Sequence, residues 1–244
     1  MVAGDAGLVI WDVDGTLIPA DLRWLRRAIS RAFGITESAV VFPDKKVHGY
    51  TDESIAIDTA TASGVDPSRA ESGIPVFREA LAAVMEQGRQ ELAEVQPPYP
   101  GAAASIAALH HQGFVQTVLT GNLRSAAEVK LQVAGLDKYL DLRVGGFGSD
   151  ERDRFELPAV VARRYAEVYG RPVNRGRTVI VGDAPNDIAC ARHAGFHVVV
   201  VAHRAGTEEL AVHRPDAILN SLDAGGVIEA IKSLVSSGTR PAAS

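Results

Sequence analysis

The chain has 244 residues, of which 46% are hydrophobic and 23% charged, and a formal net charge of -5. That length can bury a full-sized core, and a mild negative balance without basic clusters gives nucleic acid no electrostatic footprint. No apolar run approaches the ~20 residues that cross a bilayer, and the single cysteine, Cys190, excludes an intrachain disulfide.

Leu8-Val9-Ile10-Trp11, between Gly7 and Gly15, reads as a short strand buried on both faces, as in a parallel sheet. Its early start leaves no room for a signal peptide, which with the lone cysteine predicts a cytoplasmic protein. Asp12 and Asp14 follow the strand with one residue between them. Gly15 lets the backbone curl so that both carboxyls approach one point, where they repel unless a cation lies between them. Asp-Gly is also a common turn pair, so this stretch decides nothing by itself.

The spacing of Leu22, Leu25, Ile29 and Phe33 then predicts an amphipathic helix over 21–33, with Asp21 as its N-cap. A loop through Pro43 leads to His48-Gly49-Tyr50, and Thr51 or Asp52 caps a helix that runs to about residue 62. One long helix is predicted over 74–94, with Val76, Phe77, Leu81, Val84 and Met85 on its apolar side. No stretch from Asp21 to Val95 reads as a strand. Pro97-Pro98-Tyr99-Pro100-Gly101 interrupts every helical pattern and marks a hinge.

Beyond the hinge the rhythm alternates. Helices are predicted over 102–111, 125–134, 155–169, 186–194, 207–212 and 222–235. Strands are predicted over 114–119, 142–144, 178–181, 198–202 and, at the edge, 217–219. Such alternation means βαβ units, hence an α/β fold with a doubly wound parallel sheet. The helical block follows the first strand, so residues 19–97 are expected to be an all-α cap. It would be inserted into a core made of 1–18 and 98–244. Cys190 sits among Ile188, Ala189 and Ala191 and reads as core; Trp11 and Trp24 read as packing.

In open α/β sheets chemistry collects at the carboxyl ends of strands. Three predicted strand ends carry unusual polar residues: Asp12 with Asp14, Thr120, and Asp183 with Asp187. Four carboxylates at two strand ends call for a divalent cation. Mg²⁺ suits them, because it takes hard oxygen ligands and shares the rest with a phosphate. The cluster lacks Cys and His, which argues against zinc or iron.

Asp12-Val13-Asp14-Gly15-Thr16, Val118-Leu119-Thr120-Gly121-Asn122 and Gly182-Asp183-Ala184-Pro185-Asn186-Asp187 stand in the order of three motifs of the haloacid dehalogenase superfamily. The chain resembles its phosphatases with a helical cap, in particular the phosphoglycolate-phosphatase-like branch. Tyr99-Pro100-Gly101 and the stretch from Lys130 to Gly135 add to that likeness. The resemblance implies a Rossmann-like core and a Mg²⁺-dependent phosphatase. It would hydrolyse a small phosphorylated metabolite through an aspartyl-phosphate, with phosphoglycolate among the candidates. Asp12 would be the nucleophile and Asp14 the general acid and base, a residue that a true dehalogenase lacks. Thr120, Gly121 and Asn122 would bind the phosphoryl oxygens. Asp12, the Asp14 main-chain carbonyl and Asp183 would hold Mg²⁺, with Asp187 in support.

The third motif departs from the family, since no lysine occurs between Asp150 and Gly182. Arg154 is the candidate to bind the phosphoryl group in its place, with Arg152 as the alternative; Lys130 is assigned to an earlier helix. In the cap, the stretch from Lys45 to Asp52, and His48 in particular, is the substrate-selecting candidate. A small-molecule phosphomonoester is thus the expected partner, with no nucleic acid and no membrane. The alternatives are a sugar-phosphate mutase on the same core, a signalling receiver domain and a catalytically silent binding module. The acid two positions after Asp12 and the long insertion speak against the receiver.

Overall fold

The computed structural model describes residues 6–43 and 50–236. Six strands form one sheet: β1 (Leu8–Trp11), β2 (Val115–Thr120), β3 (Gly146–Phe147), β4 (Thr178–Gly182), β5 (His197–Val201) and β6 (Ala217–Leu219). Their order is β3-β2-β1-β4-β5-β6, and every neighbouring pair is parallel. Continuous apolar runs such as Val198-Val199-Val200-Val201 suit strands that are covered on both faces. One face packs on α6 (Ala102–His111) and α11 (Ala224–Ser236) through Val9, Trp11, Val179 and Val199. The other packs on α8 (Leu157–Tyr169) and α9 (Pro185–Ala194) through Leu8, Ile10, Ile180 and Val198.

The chain leaves β1 toward β2 and β3, then crosses back to β4 on the other side of β1. That reversal is a topological switch point, the place where open α/β sheets hold ligands. It brings the carboxyl ends of β1, β2 and β4 side by side.

Between β1 and β2 lie α1 (Arg23–Phe33), α2 (Asp52–Ala62), α3 (Pro67–Ser72), α4 (Ile74–Gln87) and α5 (Arg89–Val95). They share an apolar cluster of their own, built on Trp24, Ile29, Phe33, Phe77, Leu81 and Met85. Leu123, Ala126 and Val129, at the start of α7 (Arg124–Val133), join it from the other side of the switch point. Trp11 and Trp24 pack as expected, and their indole N–H groups donate to Gln116 and Gln96. Cys190 is buried, and burial pushes its thiol up to about 12.

Five expectations need correction, the smallest being Val76, which is exposed rather than on the apolar side of its helix. Residues 142–144 form a turn rather than a strand, because Asp141 accepts from the Arg143 backbone N–H and guanidinium, and Val144 N–H donates to the Asp141 carbonyl. The edge strand is the two-residue β3 just beyond. The long helix over 74–94 is two helices, α4 and α5, broken at Gly88, a poor helix former. The short α3 was not expected, although Asp66 caps it by accepting from Ser68 and Arg69 N–H, and Pro67 opens it. Finally, α1 begins at Arg23; Asp21 lies just outside and accepts from Arg23 N–H at 2.8 Å.

Candidate active site

The end of β1 delivers Asp12, whose backbone N–H donates to the Val181 carbonyl of β4 at 2.8 Å. The chain then turns at Gly15, where φ is +97° and an added Cβ would stand 2.5 Å from the Asp183 carboxylate. Only glycine tolerates both constraints. The buried hydroxyl of Thr16 lies 3.3 Å from Asp12 Oδ2 and 3.2 Å from Asp183 Oδ1. Having one proton, it can donate to one of them at a time.

At the end of β4, Asp187 Oδ2 accepts from the N–H groups of Asp183 and Ala184, which fixes its carboxyl at the first turn of α9. Asp12, Asp183 and Asp187 are all buried, and one carboxylate oxygen of each lies within 4.8 Å of the others. At the end of β2, Thr120 Oγ1 accepts from Asn122 N–H at 3.2 Å. Thr120, Gly121 and Asn122 line the same cavity as the acids. A Cβ on Gly121 would fall 2.0 Å from the Tyr50 carbonyl, so the helical block sits directly against this loop.

Arg154 reaches in from a 3-10 turn that Asp153 caps. Its Nη2 donates to Asp12 Oδ1 at 2.9 Å and to Asp187 Oδ1 at 2.5 Å, and the side chain is 6% exposed. Arg152 points elsewhere, pairing with Glu53 and Glu71 of the helical block. His48 lies outside the described residues, as do Lys45, Lys46, Val47 and Gly49.

The sequence assigns Lys130 no place here, and places Asp52 only as a helix cap or as the end of the substrate-selecting stretch. Lys130 Nζ donates to Asp14 Oδ2 at 2.5 Å and to Asn122 Oδ1 at 3.0 Å. A signal existed: Lys130 occupies the stripe of Leu123, Ala126, Ala127 and Leu131, positions otherwise apolar on α7. A lysine there needs a buried partner. Asp52, read either as a helix cap or as the end of the substrate-selecting stretch, accepts from Leu123 N–H at 2.8 Å and from Asn122 Nδ2 at 3.3 Å, while its own N–H donates to the Gly121 carbonyl. It ties α2 to the loop after β2.

Burial raises the Asp52 carboxyl from 3.8 to about 6, against the pull of Lys130 and the Leu123 amide. Folded Asp52 thus binds its proton more tightly than unfolded Asp52. Its contribution to stability is full below the unfolded value and is lost as pH rises through the folded one. A shift from 3.8 to about 6 at ~1.4 kcal/mol per unit sets that loss at about 3 kcal/mol. Measured by denaturant unfolding, wild type should lose about that much stability relative to Asp52→Asn between about pH 4 and 7. A difference independent of pH would show that Asp52 is not held in this desolvated state.

The three clustered acids face an uneven balance. Burial and the neighbouring Asp187 raise Asp12 well above the usual carboxylate range, with Arg154 opposing. Asp183 is raised to about 7 by burial and Asp187, while Arg204, at 3.8 Å, opposes. Burial works against the charge on Arg154, yet Asp187 and Asp12 outweigh it and hold its pKa high. Buried Asp14 Oδ1 and Arg154 Nε have no hydrogen-bond partner. All-oxygen donors, too little positive charge and an unpartnered carboxylate oxygen fit a hard divalent cation, while the unpartnered Arg154 Nε can donate to an anionic ligand.

The chain is similar to several known proteins. A family model, haloacid dehalogenase-like hydrolase, matches residues 9–192. A phosphoglycolate phosphatase of Neisseria meningitidis serogroup A is 30% identical over 220 residues, covering 88% of this chain and 89% of the relative. A pyrophosphatase, PpaX, of Halalkalibacterium halodurans is 27% identical over 218 residues, covering 88% and 92%. Among solved structures, CbbY from Rhodobacter sphaeroides in complex with phosphate superposes with a TM-score of 0.63 at 20% identity. That match covers 91% of this chain and 96% of the other, and at this identity it speaks for the fold alone.

Proposed function

The chain belongs to the haloacid dehalogenase-like hydrolase family, and from that premise we propose that it is a Mg²⁺-dependent phosphatase of small phosphorylated metabolites. The observation that carries the reading is the convergence of Asp12, Asp183 and Asp187 within 4.8 Å, with Arg154 bonded to Asp12. Residues 19–97 act as a cap over a core of 1–18 and 98–244, a division supported by the separate apolar cluster of the helical block.

Asp12 attacks phosphorus through a carboxylate oxygen, and the bond from phosphorus to the leaving oxygen breaks, giving an aspartyl-phosphate. Asp14 gives the leaving oxygen its proton, then takes one from the water that hydrolyses the acyl phosphate. Lys130 holds the Asp14 carboxyl in place and, through Asn122, the loop after β2. Thr120 and the amides of Gly121 and Asn122 bind phosphoryl oxygens, and Arg154 balances the charge on Asp12 and the transferring group. Asp12, Asp183 and the Asp14 main-chain carbonyl would hold Mg²⁺, with Asp187 in support, and the ion would supply further charge neutralisation.

The relatives bear different names, one a phosphoglycolate phosphatase and one a pyrophosphatase, so both compounds belong in the test. A panel of phosphorylated metabolites is incubated with the enzyme, with and without Mg²⁺, and free phosphate is measured. Phosphate release that needs Mg²⁺ and is lost with a chelator is expected. Phosphate moved between positions of one sugar without release would make the enzyme a mutase, and release unaffected by chelation would remove the metal.

A further inference from the structure

The cavity that holds the acids continues into the helical block, between α1, α2, α4 and α7. Its walls there are Trp24, Leu25, Ile55, Leu81, Met85 and Ala126, all buried and all members of that block's apolar cluster. Three of the described polar groups that line it are engaged elsewhere. The Trp24 indole donates to Gln96, Asp21 is paired with Arg23, and Asp52 accepts from Leu123 and Asn122. Among the described lining residues the cations are Lys130, Arg154 and Arg204, and each lies beside an acid: Asp14, Asp12 and Asp183 respectively. The cavity is therefore divided, charged at the sheet and apolar toward the helices.

Resting on the phosphatase reading above, we propose that the substrate is a phosphomonoester of an apolar alcohol, alkyl or aryl, whose hydrocarbon body occupies the apolar end. Hydrolysis then cleaves its P–O bond and releases inorganic phosphate and the free alcohol, with water supplying the oxygen and protons. A two-carbon acid ester such as phosphoglycolate would leave the apolar walls untouched. A carboxylate carried deeper would be buried against them without a partner among the described residues, which is costly. An alkyl chain gains there by leaving water, at about 25 cal/mol per Å² of apolar surface.

The test uses the full chain with Mg²⁺ and two ligand series. In the first, kcat/KM is measured for n-alkyl phosphates from methyl to hexyl, for phenyl phosphate and for phosphoglycolate. Each methylene that fits is expected to raise kcat/KM about fourfold, the factor equivalent to ~0.8 kcal/mol per buried CH₂, and phosphoglycolate should fall below the longer esters. In the second, n-alkylphosphonates, which cannot be hydrolysed, are titrated by calorimetry, and Kd should tighten by a similar factor per methylene. Met85→Ala, checked for folding by its melting curve, should flatten both series. A flat wild-type series, or a preference for phosphoglycolate, overturns the proposal. If no ester is hydrolysed but the phosphonates still tighten with chain length, the phosphatase reading fails while the apolar chamber as a ligand site stands.

Discussion

Asp12→Asn is expected to leave no phosphate release above background, whereas Asp14→Asn should retain a trace. The difference follows from the role proposed for each carboxyl. An amide at position 12 cannot form the bond to phosphorus, and no neighbour can substitute: Asp187 is bound to the N–H groups of Asp183 and Ala184, and Asp183 sits behind Gly15. Losing a general acid costs only about 10²–10⁴ in rate, because positioning and charge neutralisation survive. Stability separates this from simple damage. Burial and Asp187 already disfavour the charge on Asp12, so a neutral amide relieves repulsion and can still accept from Arg154. Its melting temperature should therefore match or exceed that of wild type. Phosphate assays and thermal melts of both variants check this. Equal residual rates would contradict the assigned roles, and a collapsed Asp12→Asn melt would make Asp12 structural.

Five of the six strands were legible, β5 most clearly, because parallel strands covered on both faces favour apolar runs such as its four valines; the two-residue β3 was not. The acids were legible because the loops that carry them begin where those runs stop. What escaped depends on contacts between segments far apart in the chain. Lys130 lies 116 positions from the acid it binds, and only its intrusion into an apolar stripe betrays it. Asp52 falls within the stretch expected to face the site, but its partners, Asn122 and Leu123, lie 70 and 71 positions away in the chain and could not be read from it. The choice between Arg152 and Arg154 could not be made from spacing, since both follow an acid in a short charged run. It is made by the 3-10 turn that Asp153 caps, which sends one arginine toward the sheet and the other toward Glu53.

That choice yields the second large effect. Arg154→Ala should cost far more than Arg152→Ala, in both turnover and stability. Arg154 is 6% exposed and its one nitrogen serves two buried carboxylates, Asp12 and Asp187. Removing one partner of such a group leaves uncompensated buried charge, typically 3–5 kcal/mol of stability, and removing a donor near the transferring group costs about 10²–10³ in rate. Arg152 is 45% exposed, its pair with Glu71 lies at the surface, and the buried Glu53 keeps Arg78 as a second partner, so its loss should cost less. Arg154→Lys keeps the charge but not the planar fork, so it should recover stability more fully than rate. If charge is what Arg154 supplies to the acids, added Mg²⁺ should restore part of the stability of Arg154→Ala, because a cation among the same carboxylates offsets the same repulsion. Unfolding curves at several Mg²⁺ concentrations, with kcat for each variant, decide it. Equal losses in Arg152→Ala and Arg154→Ala would show that the buried contact with Asp12 has no part in the chemistry.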